Sequence, residues 1–151
     1  MRYAIGLHLL GTLVWVGGMF FAYVVLRPSV ASLDPAVRLA LWRGVLGQFF
    51  AWVWICVVVM LASGFAMAFI AFGSTGLAPG YVRLMMTLGI LMAALFLYVY
   101  FAPWRDFRRA LADANATRAQ ASLREIRWLV AINLILGLAT AVIGASGPYV
   151  F

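Results

Sequence analysis

The chain has 151 residues, of which 67% are hydrophobic and 10% charged, and its formal net charge is +7. A soluble domain carries about a quarter charged residues, so this chain cannot dress a water-facing surface and is expected to be integral to a membrane. A secreted disulfide module, a dinucleotide-binding enzyme and a nucleic-acid-binding domain are excluded. The lone Cys56 lies in an apolar run, and the basic residues sit between apolar runs, where anionic phospholipid headgroups are the nearer partner.

Four runs reach the roughly 20 residues of helix that cross a hydrocarbon core. They are Tyr3 to Leu26, Val45 to Phe72, Tyr81 to Ala102 closed by Pro103, and Trp128 to Gly144 ended by Gly147-Pro148. Backbone in lipid must satisfy its own hydrogen bonds, and the alternation of a barrel strand is missing, so helices are expected. The expected fold is all-α: one transmembrane domain over residues 1–151, built as an integral membrane four-helix bundle. The first run is too long for the core of a cleaved signal peptide and is expected to stay as a span.

Three connections remain. Arg27 to Gly44 carries three Arg and Asp34, and Gly73 to Gly80 is an uncharged turn of Gly, Ser and Pro. Trp104 to Arg127 carries six Arg with Asp106, Asp113 and Glu125. Rich in Ala, Leu and Arg, with no Pro or Gly after Trp104, it predicts a helical hairpin over 104–127 turning at Asn115-Ala116-Thr117. The first and third connections share one side of the membrane and hold nine of the eleven Arg. The positive-inside rule then expects that hairpin in the cytoplasm and both termini outside, across a bacterial-type inner (plasma) membrane.

Small residues are expected at helix contacts: Gly11 and Gly18, Ala62 and Ala66, Gly64 and Ala68, and Gly137, Ala141 and Ala145. Trp42, Trp104 and Trp128 at one level, with Tyr3, Tyr81 and Tyr149 at the other, form the aromatic belts of a spanning protein.

Polar groups inside the bilayer are costly and mark sites. His8 lies about a turn and a half into the first helix from the outer side, Arg83 near the outer start of the third, and Asn133 in the fourth. Asn133 is expected to bond a neighbouring helix. Met67, Met85 and Met86 lie at depths similar to that of His8. Imidazole with thioethers suits Cu(I), or the axial positions of a haem iron. Each Met is equally at home as a gap filler. Arg83 snorkels to headgroup phosphate or clamps an anion such as a haem propionate. No catalytic constellation appears: the carboxylates lie on the opposite side from His8, and no pair of them is buried in the bilayer.

The run His8-Leu-Leu-Gly-Thr-Leu-Val-Trp-Val-Gly-Gly-Met19, continued to Arg27-Pro28, resembles the opening of the copper resistance protein D-like (CopD-like) membrane family. Met85-Met86, the exit Phe101-Ala-Pro-Trp-Arg105 and Ile126 to Gly137 are similar to short members of that group. The resemblance implies a four-helix bundle that binds or handles copper, with His8 and Trp15 carried over as site residues. Short relatives are expected to place a second His where this chain has Arg83, and a homodimer would supply one. The neighbouring HemJ-type protoporphyrinogen oxidases share a His followed by Trp-x-x-Gly on the first helix. That resemblance implies haem b, held by His8 and a Met or by two His of a dimer, and oxidase activity only if the haem is bound. A cofactor-free accessory subunit is the third reading.

Overall fold

The computed structural model describes residues 2–74 and 77–150. Among the described residues it is helical with no strand: α1 (Arg2–Phe20), a π-helical segment (Phe21–Leu26), α2 (Arg27–Ser29), α3 (Pro35–Phe72), α4 (Gly80–Phe101), α5 (Pro103–Ala112) and α6 (Ala116–Val150). Among the described residues four helical stretches are long and apolar enough to cross a membrane: Arg2–Ser29, Pro35–Phe72, Gly80–Ala112 and Ala116–Tyr149. The protein is a multi-pass membrane protein.

The helices form a ring. α1 packs on α3 and α6, and α4 packs on α3 and α6. Neighbours run antiparallel, so the start of α1 and the end of α6 share one end of the bundle. The other end carries α5 and most of the Arg residues. The interior is aromatic. Phe50 meets Trp104 edge-on at 5.3 Å between centroids, Trp54 meets Phe96 at 5.4 Å, and Trp15 meets Phe96 at 6.4 Å. Edge-to-face pairs of this kind add about 0.5–1.5 kcal/mol each beyond burial. Outward positions are apolar as well, such as Leu13, Val58 and Ile135, each more than 60% exposed. A shell of that character suits lipid and not water.

Close approach depends on glycine. A Cβ on Gly137 would stand 2.9 Å from Val16 Cγ2 and 3.0 Å from the Met92 methyl, so α6 touches both α1 and α4 there. Gly144 faces Met85 and Gly147 faces Tyr81 along the same α4–α6 seam. The expected small-residue stripe is therefore displaced: Ala141 and Ala145, like Ala62 and Ala66, point outward.

Several boundaries differ from expectation. α3 starts at Pro35, not Val45, because Pro at its first turn and apolar Leu39 and Trp42 extend the helix and bury there. The hairpin turns at 113–115, two residues early. Asn115 accepts the Arg118 N–H at 3.0 Å as the N-cap of α6, and Ala114 takes a left-handed φ of 52°. α6 runs past Gly144 with Pro148 inside it. Pro148 gives up one backbone bond there, and the buried Gly147 packs on Tyr81 in the same turn. α3 ends at Gly73, whose φ of 72° only glycine takes without strain. The rest of that turn at residues 75 and 76 lies outside the described residues.

Candidate functional site

His8 is half-buried on α1, where it faces α3. Gly64 lies beneath the ring: a Cβ there would stand 3.3 Å from His8 Cε1, so the absent side chain is what lets the imidazole lie on the helix. The His8 Nδ1 lies 2.9 Å from Ser63 Oγ. Ser63 has one hydroxyl proton, and it is donated to the Val59 carbonyl at 2.6 Å. Ser63 therefore accepts from His8, so Nδ1 carries the hydrogen and Nε2 keeps its lone pair. This tautomer follows from the hydrogen-bond network. A partner fixing one ring nitrogen while the other keeps its lone pair is the usual arrangement of a metal-ligating imidazole.

Met60 is the sulfur closest to this arrangement in sequence register. Its Sδ lies 3.4 Å from Thr12 Oγ1. The Thr12 hydroxyl also donates to the His8 carbonyl at 2.9 Å, so its proton is shared between that oxygen and the sulfur. Met60 Sδ keeps its second lone pair. Met67, half-buried, stands one turn beyond Ser63 on the same face of α3. The spacing Met60, Ser63, Met67 thus puts a thioether on each side of the residue that holds His8.

The other expected site residues are placed elsewhere. Met85 sets its methyl against Gly144 on the α4–α6 seam, whereas His8 is on the α1–α3 seam. Met86 is half-buried on α4. Arg83 is exposed in the first turn of α4, with its backbone N–H bonded to Pro79. Trp15 is 3% exposed and packs in the aromatic core. Asn133 reaches across from α6 to the Met92 carbonyl of α4 at 3.4 Å, as expected of an interhelical bond. Sequence reasoning missed Met60 and Ser63, and read Gly64 only as a helix contact. The helical spacing of Met60, Ser63 and Met67 was the available signal.

The donor types fit copper. An imidazole nitrogen with a lone pair and a thioether sulfur are ligands suited to Cu(I). Among the described residues no group of three or more His, Cys, Asp or Glu converges.

Comparison with known families decides the affiliation. The family described as Copper resistance protein D matches residues 43–146. The chain belongs to that family. The match runs from Arg43 in α3 to Ser146 in α6. It takes in Met60, Ser63 and Met67 and leaves α1, with His8, outside. No curated protein and no solved structure matches the chain. The protein is accordingly a copper-resistance-related, multi-pass membrane protein.

Proposed function

We propose that this protein binds and hands on Cu(I) within the membrane, near the outer face, through His8 and Met60, with Met67 as a further sulfur. The observation that supports this reading is the His8–Ser63 hydrogen bond, which leaves Nε2 its lone pair on a seam that also carries the Met60 thioether. The family supplies the link to copper. The placement near the outer face rests on the Arg bias, which puts the end bearing both termini outside an inner (plasma) membrane. Bound Cu(I) would be passed to a partner or retained. Because Met85 lies on the opposite seam, it serves as packing in this reading and not as a ligand.

The test is competition for Cu(I) against a chromophoric chelator, using the full chain in mild detergent. About one Cu(I) per chain is expected, weakened at least tenfold in His8→Ala and in Met60→Leu. Failure of wild type to compete, or an affinity that both variants retain, would overturn the assignment. A Soret band on protein from haem-supplemented cells would favour the haem reading instead.

A further inference from the structure

A second feature lies at the Arg-rich end, remote from His8. The first span loosens there into the π-helical segment Phe21–Leu26, in which the Arg27 N–H reaches back five residues to the Ala22 carbonyl. Single π turns of this kind recur at functional sites. The segment forms one wall of an open cleft whose other walls come from α3 and α6. Leu46, Phe49 and Val130 make its sides apolar, and Arg27 and Arg127 are its charged lining residues.

Both guanidinium groups are stacked on aromatic rings. Arg127 Cζ lies 5.2 Å from the centre of the Trp42 ring, and Arg27 Cζ lies 4.9 Å from that of Tyr23. Stacking fixes the plane of each guanidinium fork. Arg127 is half-buried, and its Nε is buried without a hydrogen-bond partner. Trp42, which also lines the cleft, is 3% exposed, and its indole Nε1 is likewise buried and unpartnered. Arg27 and Arg38 both bring positive charge towards Arg127. Among the described residues the ion pair formed is Arg118 with Asp106, on the α5–α6 hairpin and not in the cleft. Unpartnered donors and converging like charges at a membrane boundary call for an anion. Two rigid forks above apolar walls suit a phosphate oxyanion, and the apolar walls suit the hydrocarbon part of an amphiphile.

We propose that this cleft binds a phosphate group between Arg27 and Arg127, with a phospholipid headgroup and free phosphate as its two sources. The site is independent of the copper reading and stands or falls without it.

The full chain in a mild non-ionic detergent is titrated with phosphatidylglycerol or phosphatidylcholine and followed by native mass spectrometry. In parallel, thermal unfolding is followed in inorganic phosphate and in chloride at matched ionic strength. One phosphatidylglycerol adduct is expected to form ahead of phosphatidylcholine. The preference should fall about tenfold in Arg27→Gln and in Arg127→Gln and persist in the exposed control Arg108→Gln. Stabilisation by inorganic phosphate, lost in the same two variants and without a lipid preference, would identify free phosphate as the source. Equal uptake of both lipids with no phosphate effect would overturn the proposal, as would a preference that survives both substitutions. Arg27 is exposed, so its variant keeps the test valid should Arg127→Gln fail to fold.

Discussion

The His8 imidazole and the Ser63 hydroxyl, on α1 and α3, are joined at 2.9 Å, and the Ser63 proton is already committed to its own helix. Ser63→Ala removes the acceptor that fixes the ring, so Nδ1 and Nε2 can exchange the hydrogen. Cu(I) affinity is expected to drop about 10–100-fold, with helix content unchanged by circular dichroism. An affinity equal to wild type would show that Ser63 does not orient the ring.

Gly64→Ala tests the floor of the same site. Its Cβ would meet His8 Cε1 at 3.3 Å, tighter than most real contacts, so the imidazole must shift by a few tenths of an ångström. We expect a clear loss of Cu(I) affinity with a stability change below about 1 kcal/mol, because the half-buried ring can move. Chelator competition and thermal unfolding on the same sample separate the two effects.

Gly137 is a different case, since the stiff, β-branched Val16 stands against it. Gly137→Ala would drive a Cβ to 2.9 Å from Val16 Cγ2 and 3.0 Å from the Met92 methyl. A destabilisation of about 1–3 kcal/mol is expected from overpacking, read as a lower unfolding midpoint in detergent. An unchanged midpoint would mean that the three helices are not packed there as described.

The α5–α6 turn stores strain at Ala114, whose φ is 52°. Ala114→Gly should stabilise the hairpin by about 0.5–1 kcal/mol, the penalty of a left-handed non-glycine residue less the added freedom of glycine in the unfolded chain. Equilibrium unfolding of the two proteins in the same detergent checks the sign.

The same hairpin is expected to respond to pH through Asp106. Hydrogen bonds from Arg118, and then from Ser122, hold its carboxyl below the ordinary value. A group lowered in the folded state contributes stability that is complete above its unfolded value. That contribution should be lost as pH falls below about 3.8 and through the lowered folded value. Asp106→Asn should flatten this acid limb of the stability profile, measured by thermal unfolding from pH 6 down to about 2.5. An identical limb in the variant would remove Asp106 as its cause.

Composition alone determined that the chain is helical and membrane-spanning, because apolar residues on every face leave lipid as the only solvent and helices as the backbone solution. Pro103 marked the break between α4 and α5, and Asn133 announced an interhelical bond, since each is a local constraint. The polar pattern singled out His8 because an imidazole in hydrocarbon must find a partner. Which partner it finds depends on how α1 is rotated and set against α3, and uniformly apolar helices carry no periodicity that reveals rotation. Only the tertiary structure therefore brought Ser63 and Met60 to His8, sent Met85 to Gly144, and gathered Arg27 and Arg127 around one cleft.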